Sequence, residues 1–128
     1  MALLLDRLRI LVADDDAAFA QVVALYLRTC GCTVRTAHGG EPLLDALERE
    51  TFDVVLTDIL MPDLSGIEAC ARAADRGLQV PFVFMSADCD PNLRFRAEAL
   101  SHTSVLEKPF PLERLDAFLH DQLQSPKT

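Results

Sequence analysis

The stretch Asp53-Val54-Val55-Leu56-Thr57-Asp58 decides the fold. Its interior is a short, unbroken aliphatic and β-branched run, without the polar–apolar alternation of a half-exposed strand. Such a run suits a parallel strand covered by helices on both faces. A carboxylate closes it. Working outward, short β-type runs alternate with longer helical patterns. Upstream, Arg9-Ile10-Leu11-Val12-Ala13 reads as a first strand, ended by Asp14, Asp15 and Asp16. Asp16 is the expected cap of a helix over about 17–29, where Phe19, Val22, Val23, Tyr26 and Leu27 recur at helical spacing and Gly31 stops the chain. Residues 33–37 alternate like an edge strand, and His38-Gly39-Gly40 turns into a helix with Leu43, Leu44 and Leu47 on one face. Downstream, the loop 61–66 leads to a helix over about 67–76, closed by Gly77. Residues 82–85 form a fourth strand ending at Ser86, and Pro91 opens a helix to about Leu100. Residues 104–106 form a short fifth strand, and a last helix covers about 112–123. Strands alternating with helices imply an α/β fold, a parallel sheet between two helical layers.

The 128 residues fit one domain, 1–128, with an ordered core expected over about 8–123. Half the residues are hydrophobic, enough for a core, yet no apolar run approaches the ~20 residues of a membrane span. The start, Met1-Ala2-Leu3-Leu4-Leu5, meets Asp6 and Arg7 at once and does not read as an export signal, so a cytoplasmic location is expected. The net charge of −8, from 20 acidic and 12 basic residues, repels phosphate backbones and argues against direct nucleic-acid binding. Cys30 and Cys32 are too close for an ordinary disulfide and lack zinc spacing; with Cys70 and Cys89 they read as reduced, partly buried thiols. His38, His102 and His120 read as surface or loop residues.

Four polar clusters follow four of these strands: Asp14, Asp15 and Asp16; Asp58; Ser86; and Lys108. In an open parallel sheet the carboxyl ends share one edge, where ligands bind, so residues distant in sequence converge. Three carboxylates in one cleft call for a dication, and Mg²⁺ prefers such oxygen ligands together with phosphate oxygens. With a phosphoryl group at the centre, each part has a role. Asp58 is the nucleophile that forms an acyl phosphate. Lys108 stabilises charge on the transferring oxygens, and Ser86 donates a hydrogen bond to one of them. Asp16 is better placed as a helix cap than as a ligand. Gly66 serves a backbone turn, and Met61 and Pro62 shape the loop.

On these residues the chain resembles a response-regulator receiver domain over essentially its whole length. The resemblance rests on Leu11-Val12-Ala13-Asp14-Asp15, the segment from Asp53 to Gly66, Ser86-Ala87, and Lys108-Pro109-Phe110. It implies a flavodoxin-like, doubly wound, five-stranded sheet in the order 2-1-3-4-5. It implies phosphoryl transfer to Asp58 from a histidine kinase or a histidine phosphotransfer protein. Mg²⁺, with Mn²⁺ a workable substitute, would be held by Asp15, Asp58 and the Leu60 backbone carbonyl, with Asp14 acting through water. Such a domain is no enzyme in its own right, although it assists its own phosphorylation and dephosphorylation, and it would pass the signal to a downstream protein whose identity is unknown. The resemblance also implies that the Lys108–Pro109 bond is often cis.

Two departures stand out. Val105 occupies a switch position where the family usually carries an aromatic ring, and Ser101-His102 replaces a common Gly-Ala pair. Both lie near the face through which many relatives bind partners or form homodimers. Leu60 and Asp88, each two residues past a site residue, would flank an attacking water and tune the lifetime of the phosphoryl group. Two rivals remain. Asp14-Asp15-Asp16 also reads as the opening of a haloacid-dehalogenase-type phosphatase with Asp14 as nucleophile, but Lys108 is followed by Pro109-Phe110-Pro111 and not by an acidic pair. The other rival is a receiver-like module that binds partners without phosphorylation.

Overall fold

The structure is a computed structural model describing residues 5–88, 90–101 and 104–124. Cys89 and His102 lie outside the described residues. The elements are β1 (Arg9–Ala13), α1 (Ala17–Thr29), β2 (Thr33–Ala37), α2 (Gly40–Arg49), β3 (Val54–Asp58), α3 (Gly66–Asp75), β4 (Phe82–Ser86), α4 (Pro91–Ser101), β5 (Leu106–Glu107), a 3₁₀ turn (Leu112–Arg114) and α5 (Leu115–Gln124). The strands form one sheet in the order β2-β1-β3-β4-β5, all pairs parallel. This is the flavodoxin-like order expected. β3 and β4, at the centre, are buried at every position, which is why they read as unbroken apolar runs. β2 alternates because it is an edge.

Alternation along the strands sorts the core into two layers. Ile10, Val12, Val34, Leu56 and Val83 pack towards α1 and α5. Leu11, Ala13, Val55, Phe82 and Phe84 pack towards α2, α3 and α4. Leu5 is 1% exposed and joins the first layer, so the packed core begins ahead of residue 8. Cys30 and Cys32 are buried free thiols in that layer, and burial pushes the Cys32 pKa up to about 11.

Three boundaries differ from the sequence reading. β3 runs one residue later and includes Asp58, whose Cα pairs with Met85 in the ladder. β5 is Leu106–Glu107 and excludes Ser104 and Val105. The Val105 N–H is drawn to the Glu98 carboxylate at 3.2 Å, and that of Ser104 to the Gln122 side chain at 3.2 Å. The last helix opens as a 3₁₀ turn behind Pro111 before α5 proper.

The loop after β3 is held by close backbone contact. The Gly66 N–H donates to the Ile59 carbonyl at 2.7 Å, and a Cβ at Gly66 would lie 2.3 Å from the Asp58 carbonyl oxygen. Neither partner is a flexible side chain. Gly66→Ala is therefore expected to destabilise the fold by about 2–3 kcal/mol, measured by urea unfolding. A loss within experimental error would show that this approach is not required.

Candidate functional site

The carboxyl edge of the sheet carries the predicted residues of four strands. The Asp14 N–H donates to the Ala37 carbonyl at 3.0 Å, which extends β1 by one residue and seats the Asp14 carboxylate in the cleft, 1% exposed. Asp15 is exposed, and Asp16 accepts from the Phe19 N–H at 3.1 Å, the N-cap of α1 that its position predicted. Asp58 ends β3, and the next ladder bond, from the Ile59 N–H to Met85 at 3.0 Å, holds it against β4. Lys108 follows β5. Its N–H donates to the Ser86 carbonyl at 2.9 Å, and its peptide bond to Pro109 is cis.

The Lys108 ammonium bridges two of the carboxylates, with Nζ 2.6 Å from Asp14 Oδ2 and 2.9 Å from Asp58 Oδ2. It also lies 4.5 Å from the centroid of the Phe19 ring. Phe19 in turn meets Phe110 edge-on at 5.9 Å. Sequence reasoning counted Phe19 only as a core position of α1. Its place beneath the ammonium depends on how the start of α1 meets the segment that follows β5, for which helical spacing carries no signal. The contact favours a cation at this point.

Carboxylate oxygens of Asp14, Asp15 and Asp58 lie within 4.8 Å of one another. Three carboxylates against one ammonium leave two negative charges uncompensated. Every ligand atom is a hard oxygen. Both features fit a dication such as Mg²⁺. Burial is the largest influence on Asp58 and raises its pKa above the ordinary carboxylate value; the bonds and charge of Lys108 work against this, and repulsion from Asp14 adds to it. Burial works against the Lys108 ammonium, but its bonds to Asp14 and Asp58 outweigh this and raise its pKa above the ordinary lysine value.

Ser86 ends β4, buried, and its Oγ accepts from the Asp88 N–H at 3.0 Å. The Leu60 N–H donates to Asp58 Oδ1 at 3.3 Å, while the Leu60 side chain is half exposed. Asp88 is exposed and accepts from the Asp90 N–H at 2.9 Å. Val105 is half-buried against the layer under α2, α3 and α4. His38 is exposed, and no ion pair or ring contact links it or His120 to the cleft among the described residues.

Sequence reasoning also passed over Asp63. Its carboxylate accepts from the N–H groups of Gly40 at 3.0 Å and Glu41 at 2.9 Å. These bonds cap α2, whose own N-cap, Gly39, offers no side chain, and they hold the Asp63 pKa below the ordinary carboxylate value. The loop after Asp58 is thereby tied to α2. Two glycines ahead of an uncapped helix were the available signal.

Residues 10–120 match the family of response regulator receiver domains. The response regulator MprA of Mycobacterium avium is 32% identical over 120 residues, 94% of this chain and 53% of that protein. MprA of Mycobacterium tuberculosis is 32% identical over 119 residues, 93% of this chain and 52% of that protein. The chain thus spans about half the length of the curated relatives it matches. Among solved structures, full-length FixJ from B. japonicum superposes with a TM-score of 0.82 at 32% identity, covering 93% of this chain and 59% of that one. The chemotaxis response regulator CheY4 of Vibrio cholerae gives a TM-score of 0.82 at 26% identity, covering 91% and 98%.

Proposed function

Since the chain belongs to the family of response regulator receiver domains, the signalling domains of two-component systems, we propose that it accepts a phosphoryl group on Asp58 from a phosphohistidine donor and switches partner binding in response. The observation that carries this reading is the Lys108 ammonium bridging Asp58 and Asp14, with the Asp15 carboxylate alongside. A carboxylate oxygen of Asp58 attacks phosphorus, the bond to the donor imidazole nitrogen breaks, and the imidazole leaves with that electron pair. Burial raises the basicity of Asp58 and so favours its attack. Lys108 neutralises charge developing on the phosphoryl oxygens. The Ser86 hydroxyl accepts from the Asp88 N–H, which leaves its own proton for a phosphoryl oxygen. Asp15, Asp58 and the Leu60 carbonyl would hold Mg²⁺, with Asp14 acting through water. A bound Mg²⁺ supplies charge neutralisation on the transferring oxygens.

The new group adds about −1.5 to −2 charge at one strand end. Ser86 and Lys108 are drawn to it, the loops after β4 and β5 shift, and the α4–β5–α5 face changes its affinity for a downstream protein or a second copy. Val105 brings no aromatic ring to that movement. Leu60 and Asp88 flank the approach of water and set the lifetime of the acyl phosphate. The upstream partner is a histidine kinase or a histidine phosphotransfer protein, which places the work in the cytoplasm, where ATP supplies such donors. Asp14 is less suited as nucleophile: its carboxylate is 1% exposed, and its two oxygens accept from Lys108 and from the Asp16 N–H.

The direct test is incubation with Mg²⁺ and acetyl phosphate, followed by mass spectrometry of the intact protein and mapping of the modified residue. The gain of one phosphoryl group on Asp58 supports the reading. A modification mapped to Asp14, or no gain, sinks it.

Mg²⁺ itself is expected to raise the melting temperature at neutral pH, by about 1.4 kcal/mol of stability at ten times its dissociation constant. The sign with pH follows from Asp58. Its folded-state pKa is raised, so its ionisation disfavours the folded state as pH climbs through the window above the ordinary carboxylate value. Mg²⁺ binds the ionised form and relieves this. The Mg²⁺-induced rise in melting temperature should therefore fade on acidification, beginning above the pH at which an ordinary carboxylate protonates. A rise independent of pH would place the ion elsewhere.

A further inference from the structure

The opposite flank of the sheet carries a second surface. β2 is an edge strand, and its outer side pairs with no other strand among the described residues. The Thr33 N–H and the Ala37 carbonyl bond inward to the β1 side, so by alternation the backbone groups of Val34 and Thr36 face outward. Two hollows of about 340 and 260 Å³ share Arg35, Thr36 and Glu50 and run end to end along this edge. Arg9, Arg28, Arg35 and Arg49 line them, against Asp45 and Glu50. That leaves two positive charges in excess on a chain whose net charge is −8. Glu50 already pairs with Arg9 at 2.9 Å and with Arg35. Arg28 crosses from α1 and donates to the outward Val34 carbonyl at 2.9 Å, so it covers the open edge.

We propose that the open edge of β2 binds an extended, acidic segment of a partner protein as an added strand. The outward groups of Val34 and Thr36 supply ladder bonds, and the arginines select negative side chains. Arg28 plays two parts. An incoming strand takes the Val34 carbonyl from it, and the released guanidinium meets an acidic side chain of the segment. The outward ladder groups of Val34 and Thr36 suit a strand better than a small anion, which has no use for both an N–H and a carbonyl in register. A second copy of this chain is disfavoured, because edge-to-edge pairing would set these arginines against their own counterparts. The surface lies on β2, away from the Asp58 cleft, and does not depend on phosphorylation.

The probe is a blocked peptide of alternating Asp and Val, about eight residues long to run the ~16 Å edge, with a control carrying Lys for Asp. It is added to the unphosphorylated full chain and to Asp58→Asn, so failure of the phosphorylation reading would leave this result untouched. Amide NMR is expected to show shifts along β2 and slowed hydrogen exchange at Val34 and Thr36, with the acidic peptide only. Arg28→Ala should weaken binding several-fold and Arg28→Lys much less. Thr36→Pro, which removes an outward N–H at a position where an edge strand tolerates proline, should abolish the exchange protection at Val34. Equal binding of the Lys peptide would overturn the proposal. So would tighter binding by Arg28→Ala, which would make Arg28 a cover alone. Full competition by inorganic phosphate without protection of the two amides would likewise overturn it in favour of a small-anion site.

Discussion

Asp58→Asn is expected to lose phosphoryl incorporation from acetyl phosphate entirely, while the protein stays folded. The amide matches the carboxylate in shape but is no nucleophile. Stability at neutral pH should hold or rise, because the raised pKa of Asp58 marks a carboxylate whose ionisation the fold disfavours. Mg²⁺ affinity should fall, since one of three clustered carboxylates is gone. Asp14→Asn separates this reading from its rival. If Asp58 is the acceptor, Asp14→Asn slows incorporation by weakening the metal site but leaves the label on Asp58. Incorporation that survives in Asp58→Asn and vanishes in Asp14→Asn would reassign the nucleophile. Intact-mass measurement on the three proteins decides the matter.

Lys108→Ala should be nearly as severe, in a different way. The ammonium sits between two carboxylates, and removing a positioned charge of this kind costs roughly 10²–10³ in rate. Incorporation should slow by that factor without disappearing, because Asp58 remains. Without Mg²⁺ the variant should also lose about 2 kcal/mol of stability, as Asp14 is left in the cleft without its counter-charge. Mg²⁺ affinity should increase, because a competing cation has been removed. The combination of slower chemistry with tighter metal binding separates an electrostatic role for Lys108 from a purely structural one, which would weaken both. Rates by stopped-flow and affinity by titration calorimetry supply the two readings. Unchanged incorporation would remove Lys108 from the mechanism.

Much of the candidate site was legible because the carboxyl ends of parallel strands share one edge. Once Asp14, Asp58, Ser86 and Lys108 each followed a predicted strand, topology alone required them to meet. The N-cap role of Asp16 was equally local, since it is set by one hydrogen bond within a helical turn. Phe19 and Asp63 were not legible in the same way. Helical spacing explained Phe19 as a core residue, and nothing in it reveals an ammonium 4.5 Å from the ring. Asp63 lies in a loop whose residue types serve many turns, and its partners belong to a helix much earlier in the chain. β5 was misplaced because competing side-chain acceptors drew off the N–H groups of Ser104 and Val105.

By itself, the sequence determined the alternation of strands and helices, the edge character of β2, the burial of β3 and the set of polar residues that would face one another. These follow from periodicity and capping, which act over a few neighbouring residues. Only the tertiary structure decided that Lys108 spans Asp14 and Asp58, that Gly66 presses on the Asp58 carbonyl, and that four arginines line the open edge of β2. Those arrangements depend on how separate elements pack against one another, and side-chain spacing along one element carries no record of its neighbours.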